Sequence, residues 1–304
     1  MSMMLFVFQY LVTMILGLVG LAFVTLMERK VMSYMQMRKG PNKVGYLGLL
    51  QPFSDAVKLF TKELIVPYKS NFFMFFIGPA LSIILMLLIW LIYPTWVGYE
   101  SFKYSGLFFF CILGVGVYGM FISGWISNSK YSSLGSLRAV AQTISYEVSL
   151  IILILNYFIL IESMSMKDFF VWQNSYYMAM MFLPFFSIWF VSCIAELNRT
   201  PFDFAEGESE LVSGFNTEYS SGLFSMIFMA EYGFIFFICI LNSYMFMGSS
   251  FIYIKSMILL YLVLWFRGTY PRYRYDKFMM TAWKVFLPIG LFMLIVSMMM
   301  KIML

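Results

Sequence analysis

Eight runs of mostly apolar residues, at about 3–27, 72–93, 104–126, 139–161, 176–195, 223–245, 250–266 and 283–303, constrain this chain more than any other feature. Each is close to the roughly 20 residues that a helix needs to cross the ~30 Å hydrocarbon core of a bilayer. The composition agrees: 62% of the residues are hydrophobic and 12% charged, against about 45–50% and about 25% in a soluble domain. The sequence therefore predicts an all-α, polytopic membrane protein with eight transmembrane helices, forming a single integral membrane domain over 1–304. A soluble enzyme, a nucleic-acid binder and a secreted module are excluded. No internal repeat is evident, which counts against an inverted-repeat transporter. The first run has no basic residue before it and is too long for a cleaved signal peptide. No Arg-rich transit sequence is present either, so the chain is expected to insert where it is made, or to be made inside an organelle.

The chain has no His, which removes His-ligated haem, His-ligated zinc and a Ser-His-Asp triad. Cys111, Cys193 and Cys239 lie far apart in apolar stretches. They read as buried, inert thiols rather than as ligands of an iron–sulfur cluster or zinc, or as a disulfide framework. Gly114, Gly116 and Gly119 read as helix-packing positions.

Eight spans put both termini on one side and the loops after spans one, three, five and seven on the other. Those loops, at about 28–71, 127–138, 195–222 and 267–282, hold with their flanks sixteen of the 20 Lys and Arg residues. The positive-inside rule makes that side the inner one. In the first inner loop, Phe53, Val57, Phe60 and Leu64 recur at helical spacing, with Asp55, Lys58 and Lys62 on the opposite face. An amphipathic helix over 53–65, lying in the interface and ended by Pro67, is expected. It reads either as a passive anchor or as a floor for a bound apolar ligand.

The third inner loop is unusual. Over 195–219 it carries six acids (Glu196, Asp203, Glu206, Glu208, Glu210 and Glu218) and one base, Arg199. Phe202, Phe204, Leu211, Val212 and Phe215 are interleaved, which points to a loop packed on protein rather than a solvated acidic run. Crowded carboxylates disfavour joint ionisation. The last inner loop is basic and Tyr-rich, and suits lipid phosphates, the acidic loop or a partner subunit. Two acids lie inside spans, Glu147 in the fourth and Glu231 in the sixth. Each has polar neighbours: Gln142, Thr143, Ser145 and Tyr146 for the first, Tyr232 for the second. An ionised group at mid-span costs roughly 2.5–3.5 kcal/mol, so such residues usually face the bundle interior and mark an ion or proton path. Glu28, beside Arg29 at the inner end of span one, reads as an interfacial ion pair.

The stretches ERKV (28–31), RKGPNKVG (38–45), GLLQPFSDAVKL (48–59), KE (62–63), AELNRTPFDFAEGESELVSGFNTEY (195–219) and PRYRYD (271–276) closely resemble the subunit 1 family of NADH:ubiquinone oxidoreductase, respiratory complex I. The resemblance implies eight transmembrane helices at the junction of the membrane and hydrophilic arms. It also implies a ubiquinone tunnel bordered by Glu28, Arg29, Phe53, Phe60, Arg199, Phe202, Phe204, Phe215 and Arg274. A proton-coupling path would use Glu147, Glu196, Asp203, Glu206, Glu208, Glu210, Glu231 and Tyr232. Ubiquinone is then the substrate, no redox centre is expected in this chain, and NADH, FMN and iron–sulfur clusters belong to partner subunits. Membrane lipid is a further partner; nucleic acid is not. The 28 Met residues suit a mitochondrial code that reads an isoleucine codon as methionine, so a mitochondrially encoded, multi-pass protein of the inner membrane is expected. The rival readings are the membrane subunit of a related hydrogenase-type complex and a stand-alone proton or cation transporter.

Overall fold

The computed structural model describes residues 2–93, 102–173, 177–181, 183–248 and 250–303. Among them there are helices and no strands. In chain order these are α1 Ser2–Met35, α2 Gln51–Thr61, α3 Phe72–Ile89, α4 Ser105–Ile126, α5 Lys130–Ile161, α6 Asp168–Trp172, α7 Met178–Met181, α8 Leu183–Glu196, α9 Glu208–Leu211, α10 Ser221–Phe246, α11 Ile252–Thr269, α12 Tyr275–Thr281 and α13 Leu287–Met303. Among the described residues, seven segments are long and apolar enough to cross a membrane, with α12 and α13 counted as one. The remaining expected span, 176–195, is described as α7 and the 14-residue α8, and positions 176 and 182 lie outside the described residues. At about 1.5 Å per residue α8 alone falls short of the hydrocarbon thickness.

Two helices overrun the bilayer. The 34 residues of α1 and the 32 of α5 give lengths of roughly 50 Å at 1.5 Å per residue. Sequence reading stops such helices at 27 and starts one at 139, because hydropathy reports where lipid ends rather than where the backbone changes. The start of α5 is set instead by Ser129, whose hydroxyl accepts from the Ser132 N–H, an N-cap arrangement. Pro288 fits the last span through a wide turn. It has no N–H to donate and its ring crowds the preceding carbonyls, and the chain passes it through a π-helical turn at Ala282–Phe286.

The helix α10 packs against α1, α3 and α11, and α5 against α4, α8 and α13. One close approach comes where small residues meet. A Cβ on Gly124 of α4 would fall 2.4 Å from the Ser136 Cβ of α5, the small-on-small packing of membrane helices. Of the glycines expected at packing positions, Gly119 meets Leu81 and Ser82 of α3 at ordinary contact distance and Gly114 lies against the Glu147 carboxylate of α5, whereas Gly116 meets nothing within 4 Å. The outer half of the bundle is filled by Trp90, Phe109, Tyr157, Trp189 and Phe246. Its inner half holds a second cluster around Tyr146, Phe202, Phe204 and Phe278.

The amphipathic helix is present but shorter than expected. It ends at Thr61, and Lys62 is already extended, so Leu64 is outside it. Its Phe53, Val57 and Phe60 are exposed. Arg29 of α1 anchors it through an ion pair to Asp55 at 2.5 Å, and Phe53 meets Phe23 edge-on at 6.2 Å.

Candidate functional site

The acidic loop is packed on protein, as its interleaved aromatics predict. Phe202, Phe204, Leu211 and Phe215 are buried, whereas Val212 is exposed. The loop leaves α8 in a tight turn closed by the Phe202 N–H donating to the Arg199 carbonyl at 2.8 Å. Gln142 of α5 staples both ends of that turn. Its Nε2 donates to the carbonyls of Ala195 and Phe202, each at 2.8 Å. Phe202 and Phe204 lie 4.7 and 5.1 Å from the Phe278 ring. The basic segment covers them: the Tyr273 N–H donates to the Pro201 carbonyl at 3.1 Å, and the Arg272 guanidinium sits over Phe204. Of the partners open to the last inner loop, the structure therefore shows the acidic loop. Farther on, the Glu206 N–H donates to Asp203 Oδ1, and Glu210 pairs with Arg138 on the inner extension of α5. The Glu208 side chain lies outside the described ones.

Arg199 is buried at 7% exposure. It pairs with Glu231 at 3.6 Å and its guanidinium lies 4.5 Å from the Tyr232 ring centre. Burial works against its charge, but Glu231, Tyr232, Glu206 and Asp203 together outweigh that and hold Arg199 above its ordinary pKa. The Tyr232 hydroxyl donates to Glu28 at 2.6 Å. Glu28 in turn pairs with Arg267 of α11, not with the adjacent Arg29. One polar network thus joins the acidic loop to α10, α1 and α11.

A cavity of about 90 Å³ opens between α3, α4, α10 and the end of α8. Glu196, Asn198 and Glu231 line it, with Gly116, Val117 and Met120. Glu147 is not on this cavity. It faces an open groove between α4 and α5, and Val117 borders both spaces. The polar neighbours expected to serve Glu147 are engaged elsewhere. Gln142 holds the loop, Thr143 and Ser145 donate to carbonyls of their own helix, and the Tyr146 hydroxyl donates to the Phe278 carbonyl. Cys111, expected to be buried, is exposed on the same groove.

The residues expected around ubiquinone do not form one surface. Phe53 and Phe60 present an open apolar face, while Phe202, Phe204 and Phe215 are packing residues of the loop. Glu28 and Arg29 border an open recess with Arg38, Lys39 and Arg267. Arg274 is 79% exposed and pairs with its neighbour Asp276 at 3.0 Å. Sequence reading missed Gln142 as the loop staple, Arg267 as the partner of Glu28, and Asn198. A signal existed for the first: a Gln inside an apolar span must place two amide hydrogens somewhere.

Comparison with known proteins adds the assignment. The family model described as NADH dehydrogenase matches residues 8–298. The chain is 53% identical over 285 residues to a protein of Aedes aegypti named NADH-ubiquinone oxidoreductase chain 1, covering 92% of this chain and 91% of that one. Its namesake in Locusta migratoria is 50% identical over 95% and 94% of the two chains. That of Monodelphis domestica is 45% identical over 94% and 93%. The chain therefore belongs to the NADH dehydrogenase family that includes the chain 1 subunits of NADH-ubiquinone oxidoreductase.

Proposed function

We propose that the chain borders the ubiquinone path at the inner face of a proton-translocating NADH:ubiquinone oxidoreductase of the mitochondrial inner membrane, and couples quinone reduction to proton movement through buried carboxylates. The observation that carries this reading is the continuous network Glu231–Arg199–Tyr232–Glu28–Arg267 beside a cavity shared by Glu196 and Glu231. Electrons reach ubiquinone from NADH through the FMN and iron–sulfur clusters of partner subunits. This chain's residues hold and move protons. Quinone reduction takes up two electrons and two protons, and negative charge arriving beside the loop draws on the same cation, Arg199, that balances its carboxylates. Protonation of the carboxylates sharing that cation is then favoured. Glu147 carries the path outward to the groove. A carboxyl open to lipid costs about 2.5–3.5 kcal/mol, so another membrane subunit covers it.

The test is Glu231→Gln and Glu147→Gln, made separately in the assembled complex. Gln keeps size and hydrogen bonding but cannot ionise. Each is expected to impair pumping and coupled quinone reduction while assembly holds. The control is Glu162→Gln, at an exposed pair with Lys301 whose loss is worth about 0–1 kcal/mol. Wild-type pumping with both substitutions present removes these residues from the path. A photoreactive quinone analogue is expected to label 53–65 or 202–215, and labelling confined to 94–103 or 162–175 overturns the placement of the quinone.

A further inference from the structure

The inner ends of α1 and α11 meet over a glycine. A Cβ on Gly268 would fall 2.5 Å from the Met35 Sδ and 3.1 Å from the Met32 Sδ. Two thioethers three residues apart on one face of α1 thus occupy the space that a side chain on α11 would need. Met35 packs on the apolar cluster that holds Val263 and Leu264. Met32 is placed differently, on the wall of an open recess of about 470 Å³. Four cations and one carboxylate border that recess: Arg29, Arg38, Lys39 and Arg267, with Glu28. Glu28 stands one helical turn before Met32 on the same face. It pairs with Arg267, the residue before Gly268, and accepts from the Tyr232 hydroxyl. The Met32 sulfur is therefore packed on Gly268, borders a space that small polar molecules enter, and sits beside an ion pair. A thioether in that position is reachable by an oxidant, and its oxidation turns an apolar packing group into a polar one.

We propose that Met32 is a site of reversible sulfur oxidation by a hydroperoxide, and that its sulfoxide loosens the Glu28–Arg267 pair at the seam of α1 and α11. A sulfur lone pair attacks the nearer oxygen of hydrogen peroxide. The O–O bond breaks with its electrons going to the farther oxygen, and the hydrogen of the attacked oxygen ends on that leaving oxygen. Sulfur loses two electrons, the peroxide gains them, and the products are the sulfoxide and water. Arg38 and Lys39 supply donors to the departing oxygen as its charge builds. At about 30 Å³ for each water, the recess admits a molecule the size of two waters with space to spare. The new oxygen has no room on the Gly268 side, where the thioether is already in contact, so it points into the recess. There it is an acceptor among donors, one of which is the Arg267 guanidinium that serves Glu28. The seam also loses thioether packing over Gly268. A methionine sulfoxide reductase reverses the step, so the pair is loosened and restored without change to the chain. Neither Glu147, Glu196 nor Glu231 takes part.

The test treats the assembled complex with dilute hydrogen peroxide. Peptide mass spectrometry is expected to find sulfoxide at Met32 and at Met37, which is 99% exposed, before it appears at the buried Met86 and Met245. NADH:quinone turnover is expected to fall about fivefold, equivalent to about 1 kcal/mol, in step with the Met32 sulfoxide. It is expected to recover when a methionine sulfoxide reductase and its thiol reductant are added. Met37→Leu is expected to lose turnover under peroxide as the wild type does, and Met32→Leu to hold its own untreated rate. Met32→Gln, whose amide oxygen stands in for the sulfoxide oxygen, is expected to give the lowered rate with no oxidant present. Hydrogen exchange at the Tyr270 N–H, which donates to the Phe266 carbonyl at the end of α11, is expected to rise with Met32 oxidation and reads the seam without reference to turnover. Sulfoxide at Met86 before Met32 overturns the proposal. So does an oxidised Met32 with wild-type turnover and exchange, a result that leaves the proton path standing. A peroxide response in Met32→Leu equal to that of the wild type assigns the effect to another residue and also overturns it. If Met32→Leu fails to assemble, the wild type decides alone: turnover that stays low after the Met32 sulfoxide has been reduced overturns the proposal. Wild-type pumping in Glu231→Gln overturns the proton path and leaves this proposal untouched.

Discussion

Gln142→Leu is expected to loosen the turn that carries Arg199 while leaving the helix bundle intact. Gln142 is fully buried, and its two amide hydrogens satisfy the Ala195 and Phe202 carbonyls. Leu keeps the bulk but donates nothing, so each carbonyl keeps only its backbone donor, the Asn198 N–H for Ala195 and the Phe204 N–H for Phe202. Two hydrogen bonds, each worth about 0.5–1.5 kcal/mol, are lost. The substitution also removes Oε1, which is buried with no partner in the native chain, and this offsets part of the loss. The net loss is about 1 kcal/mol. Local opening of the turn hydrates both carbonyls, so this loss falls on the opening free energy of the loop. Hydrogen exchange in the purified complex reads it directly. The Phe202 N–H, bonded to the Arg199 carbonyl, is expected to exchange about fivefold faster, with amides in the middle of α5 and α10 unchanged. Unaltered exchange at Phe202 would refute the staple. Acceleration spread evenly over α5 would refute the claim that its effect is local.

Two further outcomes follow from the same loop. Gly214→Ala is expected to prevent assembly, since Gly214 sits at φ 57° and a Cβ there would fall 1.8 Å from the Ala205 carbonyl oxygen; the cost exceeds about 3 kcal/mol, and near-normal amounts of complex on a native gel would contradict it. Arg138 beside Glu210 holds that carboxyl below its usual value, so the pair's contribution is complete at neutral pH and is lost as pH falls through the lowered value. Both side chains are substantially exposed, at 36% and 52%, which limits the effect to about 1 kcal/mol. Exchange in α9 is therefore expected to rise only in acid and to lose its pH response in Arg138→Gln, and loosening that begins above about pH 6 would count against this carboxyl.

The fold was legible wherever lipid imposes it. Long apolar runs have one solution in a bilayer, so most spans fall where the sequence puts them. The ends of α1 and α5 were not legible, because Glu28 and Arg138 lie on helical turns beyond the lipid, where charge marks a change of solvent and not of backbone. The packing of the loop on protein was legible in its interleaved aromatics, and Glu231 faces the cavity as an acid inside a span is expected to, whereas Glu147 faces an open groove. The connections of the site were not legible. Tyr232 and Glu28 are 204 positions apart, and nothing local to either names the other. Adjacent residues misled for the same reason: Tyr146 and Tyr232 each neighbour an acid in sequence, yet on a helix i and i+1 face different ways. The aromatics of the acidic loop point to packing on protein, and Phe202 and Phe204 do pack against Phe278, which nothing local to the loop names.

Magnitude decides which of the inner-face ion pairs can transmit a change of charge. Exposed pairs such as Arg274–Asp276 and Arg138–Glu210 are screened, and deleting either is worth about 1 kcal/mol at most. Arg199 and Glu231 stand 3.6 Å apart with the cation buried, and at that separation two unit charges interact by about 4 kcal/mol even at an effective dielectric of 20. A shift of one charge beside the acidic loop is therefore felt by this pair and lost on those two exposed ones. Arg199 is also the single base among the six acids of 195–219, and its ring contact with Tyr232 ties it to the hydroxyl that holds Glu28. Only this cation touches both the loop and the intramembrane acid of α10 among these three pairs. Arg199→Lys consequently separates charge from shape: a point charge keeps the attraction to Glu231 but loses the planar stacking on Tyr232, so pumping should fall less than in Arg199→Met, which leaves a buried carboxylate without its partner at a cost of about 3–5 kcal/mol.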